Sequence, residues 1–156
     1  MNSIENVIGE LCKIILPIPE ESYLGNKFSS IAICTLSSID LLKTIANSEI
    51  LDDISIAGRL LSENKGIDSI IKYVNENKNI KTIIVCGKEV WGHKAGHSLF
   101  ELHKNGIDNS GRIIGSTSPD PILTVTKNEV EYFRKKITLV NMINEKNLEK
   151  IKQKLV

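Results

Sequence analysis

Aromatic side chains are scarce in this chain: they make up 4% of 156 residues, with a single Trp. Scarce rings leave little on which nucleic-acid bases could stack. The formal net charge is only +1, so the strong basic field that draws a protein to nucleic acid or to an anionic membrane is also missing. Cysteine is limited to Cys12, Cys34 and Cys86, far apart in the chain and without a CxxC pair. An odd, scattered set reads as buried thiols in a reducing compartment, not as a disulfide framework. The start Met1-Asn2-Ser3-Ile4-Glu5-Asn6 has no basic segment, which excludes a secretory signal. No apolar run approaches the roughly 20 residues of a membrane helix. The expectation is a soluble, cytoplasmic protein without a transmembrane segment of its own. Gly-x-Gly-x-x-Gly, Gly-Lys-Ser/Thr and Gly-x-Ser-x-Gly are all absent, so neither a nucleotide phosphate loop nor an esterase elbow is indicated. There is no repeat and no low-complexity stretch.

The bulk composition is that of an ordinary globular domain, with 41% hydrophobic and 25% charged residues. The length fits one domain with a real core. Residues 2–13 carry Ile4, Val7, Ile8, Leu11 and Cys12 at helical spacing, and Pro17 and Pro19 stop that pattern. A polar loop is expected to about Lys27. Strands are expected at Ser30–Leu36, Ile54–Gly58, Lys81–Cys86, Arg112–Gly115 and Ile137–Val140. Helices are expected from Ile39 to about Asn47 with Ser37 and Ser38 as caps, from Ile67 to about Asn77 after a turn at Asn64–Gly66, and over His97–Asn105, Glu129–Lys136 and Glu145–Leu155. Gly106 suits the position just after the His97–Asn105 helix. Strands and helices alternate, and the strands are continuous apolar runs. That pattern predicts an α/β fold: an open, mainly parallel sheet with helices on both faces. The whole of 1–156 reads as one domain, with a core over about 28–143 and helices at its two ends.

Chemistry concentrates in Cys86-Gly87-Lys88-Glu89-Val90-Trp91-Gly92-His93-Lys94-Ala95-Gly96-His97. It follows the apolar run Ile83-Ile84-Val85 and holds the only Trp and two of the three histidines. Open α/β sheets bind ligands outside the carboxyl ends of their strands. Gly87, Gly92 and Gly96 would let a flat ligand approach the backbone. Neutral imidazole at His93 suits cobalt, zinc, copper or iron. A packing or helix-start role for that histidine is the plain alternative. His93 and His97, four apart, would share one face of a helix, with Glu89, His103 or Asp108 as a third zinc ligand. Ser98 and Glu101 are the available partners if His93 were catalytic. Gly115, Ser116, Thr117 and Ser118 could offer backbone and hydroxyl donors to an amide-edged ligand, or form a plain polar loop.

One ordered string has a family resemblance. It runs Ile56-Ala57-Gly58-Arg59-Leu60, Glu63-Asn64-x-Gly66-Ile67, Cys86-Gly87-x-Glu89-Val90-x-Gly92-His93-x-x-Gly96, Leu102-His103-x-Asn105-Gly106-Ile107-Asp108 and Arg112-Ile113-Ile114-Gly115. It resembles the cytoplasmic domain of the A-subunit of the tetrahydromethanopterin:coenzyme M methyltransferase of methanogenic archaea, over residues 28 to 143. The resemblance implies a Rossmann-like domain that carries a cobamide, either cobalamin or 5-hydroxybenzimidazolyl cobamide, as a methyl-group carrier. It implies His93 as the lower axial ligand of cobalt, and Gly87, Glu89, Gly92, Gly96, Gly115, Ser116 and Thr117 around the cofactor, with Glu89 the guess for the hydrogen-bond partner of His93. It also implies other methyltransferase subunits, or a protein that donates or accepts the methyl group, as partners in a complex coupled to sodium export. The chain departs from the family in two places. The membrane-bound members end in a transmembrane helix where this chain has a Lys-rich segment, which leads to the expectation of either a soluble homologue or a truncation, the starting Met and helix-like finish favouring the homologue. The loop after Ile113-Ile114-Gly115, usually rich in Gly and Ala, is here Ser116-Thr117-Ser118-Pro119-Asp120-Pro121.

Overall fold

The structure, a computed structural model, describes residues 21–155. The helix expected at 2–13, with Cys12, lies outside them. Five strands form one sheet: β1 (Ser22–Leu24), β2 (Ile31–Cys34), β3 (Ile56–Gly58), β4 (Thr82–Gly87) and β5 (Thr138–Ile143), in the order β1-β3-β2-β4-β5. β3, β2, β4 and β5 run parallel, and β1 adds an antiparallel edge. The α/β reading and the mainly parallel sheet therefore hold.

The helices are α1 (Ile39–Ala46), α2 (Ile50–Asp53), α3 (Lys65–Glu76), α4 (Ala95–Asn105), α5 (Lys127–Lys136) and α6 (Leu148–Lys152), with a 3₁₀ turn at Gln153–Leu155. Residues alternate sides along a strand, so each central strand feeds two cores. Ala32, Cys34, Ile83 and Val85 point toward α3, α4 and α5, where Ile67, Ile71, Leu99, Leu102, Val130 and Phe133 are buried. Ile33, Ala57, Ile84 and Cys86 point the other way, against Leu42 and Ile45 of α1, Ile50 of α2 and Ile151 of α6. Burial on both faces is why these strands read as unbroken apolar runs.

Three local expectations change. The stretch read as loop before Lys27 contains β1, which pairs Tyr23 with Ala57 and turns the Tyr23 ring into the second core. Arg112–Gly115 is not a strand of the sheet. It makes only isolated bridges, Ile107 with Ile113 and Arg112 with Ile122, because α5 and β5 take the place beside β4. The last helix is shorter than 145–155, since Asn147 caps it by accepting from Lys150 N–H. Asn64 likewise caps α3 rather than closing a free turn, and Thr126 with Glu129 makes a capping box on α5.

Burial pushes the Cys34 thiol up to about 12 and also raises Cys86. Both should resist thiol reagents at pH 8 until the chain unfolds, which mass-spectrometric mapping of labelled cysteines would check. Phe133 is fully buried among the helices of the first core. Phe133→Ala should lower the unfolding free energy by about 3–5 kcal/mol in urea titrations.

Candidate functional site

The connection from β2 leads to α1 on one face of the sheet, and the connection from β4 leads to α4 on the other. β2 and β4 are neighbours. Their carboxyl ends therefore part at a topological switch point, where such sheets form a crevice. The loop 88–94 leaves the sheet there.

Gly87 ends β4 at φ +76°, and a Cβ on it would stand 2.3 Å from the Thr35 carbonyl oxygen. The residues expected to cap α1 are spent on this loop instead. Ser37 Oγ donates to the Lys88 carbonyl at 2.7 Å, and Lys88 N–H donates to Ser38 Oγ at 2.8 Å. Trp91, Gly92 and His93 then form an exposed turn. Gly92 has φ +79° and nothing within 4 Å of its missing Cβ. Lys94 takes the left-handed conformation at φ +49°, and α4 begins only at Ala95. His93 thus sits in the turn before the helix and does not share a helical face with His97.

Glu89 does not reach His93. Its carboxylate accepts from the backbone N–H groups of Val90 (2.7 Å), Gly96 (3.0 Å) and His97 (2.8 Å), and so closes the first turn of α4. Negative charge at a helix start is favourable because the N–H groups there have no helical partner. Gly96 is needed for this contact, since a Cβ would stand 2.9 Å from Glu89 Oε2. Gly115 is similar: at φ +89° its Cβ would meet Glu101 Oε2 at 2.4 Å. Three of the four glycines that read as ligand cradles are therefore required by the protein's own packing, and of the four only Gly92 opens on free space.

The partner of His93 is Glu63, thirty residues earlier in sequence. His93 Nδ1 lies 2.9 Å from Glu63 Oε2, with the His side chain 57% exposed and the Glu side chain 2% exposed. Glu63 Oε1 accepts from Asp120 N–H at 3.0 Å. Burial pushes the Glu63 carboxyl up. Hydrogen bonds from its own backbone N–H, from Asp120 and from His93 outweigh that, and the net value lies below the ordinary carboxylate range. With Glu63 ionised, Nδ1 is the donor of this pair, and in the neutral imidazole the lone pair is then on Nε2, the ring nitrogen away from Glu63. No described residue bonds Nε2.

The segment after Gly115 runs back along α4 toward this pair. Ser98 Oγ lies 2.6 Å from Ser116 Oγ and 2.6 Å from Ser118 Oγ, in a closed hydroxyl cluster. His97 Nε2 accepts from Thr117 N–H at 3.1 Å. His103 Nε2 donates to the Ile137 carbonyl at 2.6 Å, and Asp108 holds the turn at Ser110 and Arg112. The candidate zinc partners of His93 are thus committed elsewhere. Among the described residues no three His, Cys, Asp or Glu side chains gather as a metal site. Ser98 is fully buried in its cluster, and Glu101 is held by Asn105, so neither stands with His93. Glu63 and Asp120 are the residues that sequence reasoning did not place in the site. The Glu63–Gly66 stretch stood out as a strand-following turn, but nothing local indicated which ligand or side chain it would meet.

The family model for the A-subunit of tetrahydromethanopterin S-methyltransferase matches residues 16–156. This chain belongs to that family. The A-subunit of the putative methyltransferase Mtx of Methanosarcina barkeri is 39% identical over 137 residues, covering 86% of this chain and 66% of the relative. The second tetrahydromethanopterin S-methyltransferase A-subunit of Methanothermobacter thermautotrophicus is 33% identical over 137 residues, covering 82% of this chain and 72% of that protein. The first such protein of the same organism is 35% identical over 142 residues, with 89% and 58% covered. The chain spans just under two thirds of the length of the Methanosarcina barkeri relative. The family match takes in every described strand and helix, and with them the His93–Glu63 pair. No described helix is long and apolar enough to cross a membrane.

The glycines of this methyltransferase-family domain should separate in a substitution test. Gly92→Ala should cost about 1–2 kcal/mol, the strain of a left-handed L-residue. Gly87→Ala should cost more, because its Cβ also meets the Thr35 carbonyl. Urea unfolding of the two variants would measure the difference, and equal losses would contradict the packing role given to Gly87.

Proposed function

We propose that this chain is a cobamide-carrying methyl-transfer protein in which His93 is the lower axial ligand of cobalt. The observation that carries the reading is the His93–Glu63 pair. A metal-binding histidine characteristically gives its second ring N–H to a carboxylate, which fixes the tautomer and raises the basicity of the ligating nitrogen. Here a buried, ionised carboxylate holds Nδ1 at 2.9 Å and leaves Nε2 on the other side of a half-exposed ring, in the turn that follows β4. A cobamide fits these residues. Nε2 is an uncommitted nitrogen donor, and Gly92 leaves open space beside it. A bound cobamide would supply the cobalt centre on which a methyl group is carried.

The chain's own groups set the conditions for that chemistry. His93 would hold the cobamide through Nε2. Glu63 holds Nδ1 as the donor of this pair, so that Nε2 is the ring nitrogen that would face a ligand. The Asp120 N–H holds Glu63 in turn, so the His93 ring and the loop 116–121 share one carboxylate. Gly92 and the exposed Thr117 backbone would lie against the ligand's edge. Gly87, Gly96, Gly115, Glu89 and Ser116 would shape the rim by holding the loop and the start of α4. The methyl donor and acceptor would bind other subunits or partner proteins, since His93 is the one evident reactive position among the described residues.

Purified protein mixed with cob(II)alamin without oxygen should give an EPR spectrum with splitting from one axial nitrogen. That splitting should vanish in His93→Ala. Glu63→Gln should keep the splitting but bind about 10–100-fold more weakly, the usual effect of losing such a supporting carboxylate. Failure to bind both cobalamin and the 5-hydroxybenzimidazolyl cobamide would overturn the proposal and leave a regulatory module that kept the fold without the cofactor.

A further inference from the structure

The turn that carries His93 also carries Trp91, and the two are held as one unit. Lys94 N–H donates to the Val90 carbonyl at 2.9 Å and closes a five-residue turn. Val90 at its start and Ala95 just past its end are buried in the first core. Its tip is Trp91, Gly92 and His93, all exposed. The turn contains two left-handed residues, Gly92 at φ +79° and Lys94 at φ +49°. A left-handed lysine is unfavourable. Such conformations persist where the surroundings over-determine them, and they gather at ligand clamps. Here Ser37 and Ser38 pin Lys88, and Glu89 closes the start of α4.

Trp91 is 92% exposed and is the only tryptophan. It is not among the residues that carry the family resemblance. A lone exposed apolar side chain is ordinary by itself. This one shares a strained, well-anchored tip with the imidazole whose Nε2 no described residue bonds. Residues two apart have Cα atoms at most about 7 Å apart, less than the width of a tetrapyrrole macrocycle. A flat ligand of that breadth held at His93 comes within reach of the indole. Gly92 keeps the space between them clear, since a Cβ there would meet nothing within 4 Å.

We propose that Trp91 is a cofactor-contact residue, whose indole packs against the macrocycle of the cobamide held at His93. The inference rests on the cobamide reading of His93 and adds to it a second hold of a different kind. His93 would grip through one coordinate bond, which depends on how many ligands the cobalt takes. The indole would grip by apolar and π contact, which does not. Trp91 therefore retains the cofactor when the axial bond weakens. A protein partner that buried Trp91 would have to share the same short turn with whatever sits at Nε2, whereas a single broad ligand satisfies both side chains.

Because Trp91 is the only tryptophan, its fluorescence reports on this residue alone. In the cofactor-free full chain, acrylamide should quench it as readily as in the urea-unfolded chain. A shielded indole would overturn the inference, since Trp91 would then already be packed. With cob(II)alamin, followed by ultrafiltration without oxygen, Trp91→Ala should bind about 10–100-fold more weakly than wild type, as when a nucleic-acid base loses its stacked aromatic. Trp91→Phe, which keeps a ring, should recover most of that loss. Both variants should retain the axial-nitrogen splitting in EPR and unfold in urea at the wild-type midpoint, which separates a lost contact from a damaged fold or a displaced His93. Equal affinity of Trp91→Ala and wild type would overturn the inference, leave the His93 reading intact and assign the indole to a protein partner. If wild type takes up no cobamide at all, the His93 reading falls and this inference falls with it.

Discussion

The site depends on one buried carboxylate. Glu63 is almost wholly removed from water, yet it is held in its ionised form because three hydrogen-bond donors converge on it. A buried charge without partners would be strongly unfavourable, and the usual escape is protonation. Here the donors come from three separate parts of the chain: Glu63's own turn, His93 after β4, and Asp120 in the loop after α4. Removing any one leaves the charge under-satisfied. The carboxylate therefore binds the crevice together and sets the tautomer of the histidine.

A second buried acid repeats the device. Asp68, in the first turn of α3, accepts from Thr124 N–H, Thr124 Oγ1 and Val125 N–H at 2.9–3.1 Å. Together Glu63 and Asp68 fasten the long connection 116–125 to the region between β3 and α3. Glu89 does a related task at the start of α4. These acidic residues act as anchors for backbone N–H groups, which is how an irregular loop packs against a sheet end without orphaned donors. From that rigid frame the turn of Trp91, Gly92, His93 and Lys94 stands out into solvent, with Trp91 92% exposed.

The same economy explains the glycines. A glycine after a strand can serve a ligand or serve the protein. Gly87 and Gly115 are held where a side chain would strike Thr35 or Glu101, and Gly96 where it would strike Glu89. Of these four, only Gly92 has its open side facing outward. Membership of the methyltransferase family and the half-exposed ring of His93 are thus joined by a frame that is almost entirely intramolecular.

Much of the fold was legible in the chain itself. Unbroken apolar runs such as Ile83-Ile84-Val85 announce strands buried on both faces, and the 3.6-residue spacing of Ile67, Ile71 and Val74 announces α3, because burial imposes those periods locally. The family string, with His93 inside it, was legible for the same reason: it is a matter of order along the chain. What the sequence did not carry was which partners meet across long separations. Strand β1 is too short and polar to stand out, and exists only because the edge of β3 offers it hydrogen bonds. Arg112–Ile114 has strand composition but found no place in the sheet. Ser37 and Ser38 have the composition of caps, yet spend their hydroxyls on Lys88. Glu89 was the nearest carboxylate to His93 in sequence, but the start of α4 claims it, and tertiary structure alone brought Glu63 across thirty residues to accept from the imidazole. Hydrophobic period is a local quantity and can be read from residue order. Hydrogen-bond partnership between buried groups is decided by which donors the folded sheet brings within about 3 Å, and only the folded chain sets that.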